Sequence, residues 1–127
     1  MKPLIIAHKF KLFRHGDRTP VNTFYGDIYN ETFWAKYGGF GQLTEVGMRQ
    51  HFYYGRFIRA KYADFLDELY NKNKVHVRST DFDRTIKSAQ SLLSGLFEPV
   101  DFQIWNDEIK WQPIPVHTTE AKLDMVL

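Results

Sequence analysis

The 127-residue sequence contains no cysteine, which excludes disulfides and any zinc site built on thiolates within it. Long hydrophobic runs are also missing. Leu4-Ile5-Ile6-Ala7 is shorter than a signal-peptide core and far too short to span a membrane, so the signal of an exported protein would have to lie outside this sequence. Charge of one sign is scarce: 17 Lys+Arg against 15 Asp+Glu leave a formal net charge of +2, a weak general attraction for nucleic acid or anionic lipid. There is no internal repeat and no low-complexity segment. The histidines at positions 8, 15, 51, 76 and 117 form no pair at metal-ligating spacing. With no carboxylate-rich loop either, neither a metal nor another cofactor is expected.

What is present points to a folded chain. A composition of 43% hydrophobic and 17% aromatic residues argues against disorder, and the length allows one modest domain. Lys9 to Phe13 reads as a short strand and Arg14 to Pro20 as the loop at its carboxyl end, where α/β sheets bind ligands. Val21 to Gly41 has no sustained period and is expected to run over the surface. Thr44 is a candidate N-cap. Met48, Phe52, Gly55, Ile58, Tyr62, Phe65, Leu66 and Leu69 follow at helical spacing, which predicts a long or broken helix. Lys74 to Arg78 alternates as a strand. Thr80 or Asp81 can then cap a helix carrying Phe82, Ile86, Ala89, Leu93 and Leu96 that ends before Pro99. Phe102 to Thr118, broken by Pro113 and Pro115, predicts a further strand and an extended connection. This alternation favours an α/β fold, a Rossmann-like, mainly parallel sheet flanked by helices.

The chemistry concentrates in Arg14-His15-Gly16-Asp17-Arg18-Thr19-Pro20. Two guanidinium groups flanking a histidine supply forked donors suited to the several oxygens of a phosphoryl group. An imidazole accepts a phosphoryl group only when neutral, and adjacent guanidinium charges disfavour the imidazolium form. Gly16 would let the backbone pass close to the site, and Pro20 would stiffen the exit. On these residues alone an ordinary solvated turn, with Asp17 paired to one arginine, is the competing reading.

The wider pattern narrows the choice. Arg14-His15-Gly16 after a strand, continued by Asp17-Arg18-Thr19-Pro20, resembles the acid phosphatase and phytase branch of the histidine phosphatase superfamily. Val77-Arg78-Ser79-Thr80-Asp81-Phe82-Asp83-Arg84-Thr85 is similar to the segment that carries that family's next phosphate-binding arginine at the end of a strand. Gly39 to Met48, Trp105-Asn106 and Trp111 to Thr118 look like the prostatic and lysosomal type in particular. The resemblance implies an acid phosphatase that hydrolyses small phosphate monoesters through a phosphohistidine, with His15 as nucleophile and Arg14, Arg18 and Arg78 on the phosphate. It implies no nucleic-acid partner, a secreted or lysosomal location, and homodimers. Asn30-Glu31-Thr32, an N-glycosylation pattern, accords with a secretory route.

The family's proton donor is the aspartate of a His-Asp pair. The histidines here are followed by Lys9, Gly16, Phe52, Val77 and Thr118, so the donor is unknown within this sequence. Residues 1–127 are therefore expected to be the amino-terminal part of one incomplete catalytic domain, its carboxyl-terminal half absent. Leu123, Met125, Val126 and Leu127 would offer apolar surface to that half or to a second chain. Lys11 stands where the family has an apolar strand residue. A non-catalytic phosphate-binding or interaction protein is the alternative. Asp17, Asp81 and Asp83 are read as caps or ion-pair partners, His8, His51, His76 and His117 as surface or packed side chains, and Arg84 as a solvated helix charge. Arg49, Arg56, Arg59 and Lys61 are read as an exposed basic face, and the aromatics from Phe24 to Phe40 as core or substrate rim.

Overall fold

The computed structural model describes residues 8–125; Leu4 to Ala7, Val126 and Leu127 lie outside the described part. Its elements are α1 (Glu31–Ala35), α2 (Glu45–Lys61), β1 (Arg78–Thr80), α3 (Asp83–Leu96) and β2 (His117–Thr119), with single 3-10 turns at Asp101–Gln103 and Ala121–Leu123. β1 and β2 pair in parallel, Arg78 opposite His117, Ser79 opposite Thr118 and Thr80 opposite Thr119. The result is α/β, a small parallel sheet with helices against it.

Thr44 starts α2: its hydroxyl accepts the Gly47 N–H at 3.2 Å, satisfying a donor of the first helical turn. The buried residues of α2 are Gly47, His51, Gly55 and Ile58, a stripe at helical spacing in which two members have no side chain. α3 answers with Ser88, Ala89, Leu92, Leu93, Gly95 and Leu96. The helices cross with backbones almost touching. A Cβ at Gly55 would fall on the Leu92 carbonyl oxygen, and one at Gly95 on the Phe52 carbonyl oxygen. Around this crossing Ile58, Leu92, Leu93, Leu96 and Phe97 form the core, with Phe13, Tyr54, Val77, Ile114 and Val116 packed against it.

The long helical run divides at Tyr62. Beyond it the Phe65 and Leu66 amides turn back to the Tyr62 carbonyl, and Asp64, Asp67 and Glu68 would place like charge on the negative end of an extended helix. Arg59 fixes the break. Its guanidinium donates to the carbonyls of Leu96 (2.9 Å), Leu66 (3.3 Å) and Asp67 (2.8 Å) and lies 4.8 Å over the Phe97 ring. Arg59 is therefore a half-buried tie between the ends of α2 and α3 and not part of an exposed basic face.

Other expectations are corrected. Lys9 to Phe13 forms no strand, because no neighbouring segment among the described residues supplies a ladder. The alternation persists: Phe13 enters the core, Lys11 donates to the Tyr62 hydroxyl at 2.5 Å, and Phe10 and Leu12 face outward. The strand expected at 74–78 lies at Arg78–Thr80, so Arg78 begins it. Neither Thr80 nor Asp81 caps α3. Phe82 is the N-cap without a side-chain bond, while the Thr85 hydroxyl donates to the Thr80 carbonyl at 2.8 Å. Within the Val21 to Gly41 excursion, Asn30 Oδ1 accepts the Thr32 and Phe33 amides and starts the single turn of α1.

Gly55→Ala or Gly95→Ala is expected to cost about 1–3 kcal/mol by forcing the helices apart. Urea unfolding of the two single variants and the double variant checks this. The double should lose less than the sum, since one separation relieves both clashes.

Candidate functional site

The loop from Arg14 to Pro20 is held by main-chain and hydroxyl hydrogen bonds on both sides. Thr19, 1% exposed, is its anchor. Its amide donates to the Gln42 carbonyl at 2.9 Å, its hydroxyl donates to the Gly39 carbonyl at 2.8 Å, and the same hydroxyl accepts the Gln42 amide at 2.9 Å. Arg18 bridges antiparallel to Leu43. The Gly41 amide donates to the Pro20 carbonyl at 2.7 Å.

Asp17 meets the start of α2. Its carboxylate accepts the Thr44 hydroxyl at 2.6 Å, its carbonyl accepts the Thr44 amide at 3.0 Å, and its amide donates to Gln50 Oε1 at 2.9 Å. A carboxylate at a helix N-terminus is favoured by the helix dipole. Asp17 thus bonds to Thr44, where the sequence left open a pairing with a flanking arginine.

The loop lies so close to α2 that side chains are excluded at the contact. A Cβ at Gly16 would sit 2.7 Å from the Gly47 carbonyl oxygen and 2.9 Å from His51 Cδ2, and one at Gly47 would strike the Asp17 backbone. From the far side Ser88 of α3, 1% exposed, accepts the Gly16 amide at 3.1 Å and donates to the Arg84 carbonyl at 2.6 Å. The loop is therefore clamped between the two helices that cross through Gly55 and Gly95.

His15 sits half-buried in this clamp, with Nδ1 2.8 Å from the Gly16 carbonyl oxygen. A carbonyl oxygen can only accept, so Nδ1 is the donor in this contact, and in the neutral ring the lone pair is then on Nε2. Arg14 is exposed and Arg18 half-buried, the latter donating to the Thr19 carbonyl at 2.9 Å. The Arg78 guanidinium bonds to Asp124 at 2.6 Å and Thr119 at 3.4 Å, fixing it on the β2 side of the sheet. A depression of about 370 Å³ beside the loop is lined by Val21, Phe40, Gln42, Phe82, Asp83 and Arg84, among others. Asp83 accepts from Gln42 Nε2 at 3.2 Å, and Arg84 lies 4.7 Å over the Phe82 ring.

Ser88, Gln50 and Gly47 carry no chemical signature in the sequence, and His51 is packed behind the loop, 6% exposed. Burial lowers the pKa of the His51 ring, its hydrogen bond to the Arg14 backbone works in the opposite direction, and the nearby His15 lowers it further. For Gly47 and His51 the signal that could have singled them out is their four-residue spacing with Gly55. Among the described residues no helix is long and apolar enough to cross a membrane.

Known proteins place this geometry. The sequence model of the Histidine phosphatase superfamily (branch 2) matches residues 10–125. Over 116 residues, 91% of this chain, the sequence is 51% identical to prostatic acid phosphatase of Bos taurus and 51% identical to lysosomal acid phosphatase of Homo sapiens. The chain covers 30% and 27% of those two proteins. Among solved structures, a Klebsiella phytase superposes with a TM-score of 0.58 at 21% identity, covering 87% of this chain and 26% of that one, which establishes the shared fold.

Two outcomes follow from the clamp. Ser88→Ala leaves the Gly16 amide without its acceptor and should cost about 1–3 kcal/mol, with faster hydrogen exchange at Gly16 as the specific sign. Above the ordinary histidine value of 6.5 the His51 ring is neutral in folded and unfolded chains alike. As pH falls through 6.5 the unfolded chain takes up a proton that the buried ring resists. Stability should therefore decline there by up to about 1.4 kcal/mol per pH unit, and urea midpoints above and below 6.5 should differ less in His51→Phe.

Proposed function

Because the chain belongs to branch 2 of the histidine phosphatase superfamily, we propose that it is the amino-terminal part of a single catalytic domain that hydrolyses phosphate monoesters through a phosphohistidine. The observation that carries this reading is the 2.8 Å contact between His15 Nδ1 and the Gly16 carbonyl, which leaves Nε2 as a nucleophile. Nε2 attacks phosphorus and the P–O bond to the alcohol breaks. The bonding pair goes to the departing oxygen, which takes a proton from an acid. Water then attacks the phosphohistidine, giving a proton back to the conjugate base of that acid, and the P–N bonding pair returns to Nε2, releasing phosphate and restoring neutral His15 with its proton still on Nδ1.

Arg14, Arg18 and Arg78 are assigned to the phosphoryl oxygens, whose charge they stabilise in both transfers. Asp124 engages one nitrogen of the Arg78 fork at 2.6 Å, and a guanidinium with five N–H donors can still serve an anion. The acid belongs to the His-Asp pair that the family resemblance places outside this sequence. A secretory or lysosomal location is part of the same proposal, supported by the names of the relatives and by Asn30-Glu31-Thr32. There Asn30 Oδ1 is taken by the α1 cap, and the amide nitrogen is the atom a glycan would use. A homodimer is proposed as well, with Leu123, 69% exposed, and Met125, 97% exposed, offering apolar surface to a second copy or to the rest of the domain.

In the protein at the length of its relatives, His15→Ala is expected to lower turnover of a phosphate monoester by at least about a thousandfold. Unchanged turnover would contradict the assignment. Binding of inorganic phosphate without turnover by the parent protein would favour a non-catalytic phosphate-binding role.

A further inference from the structure

The Arg78 guanidinium is held through one nitrogen and free at the other two. Its Nη2 donates to Asp124 Oδ1 at 2.6 Å and, more weakly, to the Thr119 hydroxyl at 3.4 Å. Nε and Nη1 make no hydrogen bond among the described residues. The Asp124 side chain is 2% exposed while that of Arg78 is 38% exposed. A carboxylate taken so far out of water needs a cation in good geometry to remain ionised there. Arg78 meets that need with a single nitrogen and keeps the rest of its fork toward solvent.

The strand register shows how the chain brings the two together. β1 and β2 run parallel, with Arg78 opposite His117 and Thr80 opposite Thr119. By reaching Thr119, two residues past its own partner, the Arg78 side chain leans along the strands toward their carboxyl ends. That is the edge at which α/β sheets bind ligands. The chain leaves β2 at the same edge and turns at once. The Leu123 amide donates to the Glu120 carbonyl at 2.8 Å, closing the 3-10 turn Ala121–Leu123, and Asp124 caps that turn. The carboxylate is thus delivered to Arg78 by the segment that follows β2.

We propose that Asp124 is a positioning residue for Arg78: by holding Nη2 from the protein side it fixes the plane of the guanidinium, so that the remaining N–H donors meet the phosphoryl oxygens. A long side chain that is already held gives up less rotamer freedom when it binds an anion. A carboxylate also repels the anion that its partner binds, so orientation and repulsion act with opposite signs. Orientation dominates here, because the geometry of the fork is what suits a guanidinium to phosphate. The inference rests on the assignment of Arg78 to the phosphoryl group and adds a residue that acts through it.

The test is calorimetric titration with inorganic phosphate of the protein at the length of its relatives, with thermal melting recorded for each variant. The variants are Asp124→Ala, Asp124→Asn, Arg78→Ala and the double variant Arg78→Ala with Asp124→Ala. Asp124→Ala should raise the phosphate Kd about tenfold, and Asp124→Asn, which keeps an oxygen for Nη2, should recover most of that loss. With Arg78 already replaced by alanine, removing Asp124 should change Kd by less than about twofold, since nothing is left for it to position. If Asp124→Ala does not fold, Asp124→Leu fills the space without an acceptor and takes its place. A Kd that falls or stays unchanged in the folded variant without an acceptor would overturn the proposal. So would an equal loss with and without Arg78, the result of a carboxylate that only anchors the turn. An Arg78→Ala protein with the parent's Kd would instead overturn the assignment of Arg78 to phosphate.

Discussion

Close backbone approach along one face of α2 is the constraint on which the rest of this structure depends. At Gly47 the helix receives the Gly16 loop, and at Gly55 it receives α3, whose own Gly95 returns the contact. Neither approach tolerates a Cβ. Because the two contacts lie two helical turns apart on one stripe, the position of the loop is tied to the packing of the core. Ser88 completes the tie from α3, so the loop that carries His15 is bounded by helix on both sides.

That arrangement explains how a segment without a strand of its own can be rigid. Arg14 to Pro20 has no regular secondary structure beyond the bridge at Arg18, yet its amides and carbonyls at Gly16, Asp17, Thr19 and Pro20 all have partners. In the proposed function those bonds serve chemistry as well as stability, since they leave the Gly16 carbonyl in place to accept from His15 Nδ1. Catalysis by histidine depends on such orientation, because the two ring nitrogens are interchangeable until a partner distinguishes them. Asp17 turns toward Thr44, so both flanking guanidinium groups remain without a carboxylate of the loop itself.

Much of this was legible in the residues. The Thr44 cap, the course of α2 as far as Lys61, the body of α3 and the parallel α/β class follow from local chemistry and periodicity, and the motif around His15 identified the family. Three things were not legible. The helical pattern continued through Leu69 because Phe65 and Leu66 keep the period, while Arg59 draws the Leu66 and Asp67 carbonyls away. Lys9 to Phe13 had the alternation of a strand, but a strand needs a neighbour that short-range pattern does not reveal. Ser88 drew no reading, and His51 was read as a surface or packed side chain, because their contacts with the loop join segments far apart in sequence.

The central claim is that His15 Nε2 forms the covalent bond to phosphorus while Nδ1 stays bonded to the Gly16 carbonyl. Its most direct measurement is phosphorus NMR of the protein, at the length of its relatives, quenched in base during turnover of an aryl phosphate, with the modified peptide then sequenced. The account predicts a phosphoryl group on Nε2 of His15. A phosphoryl group on Nδ1, or on any other residue, would contradict it.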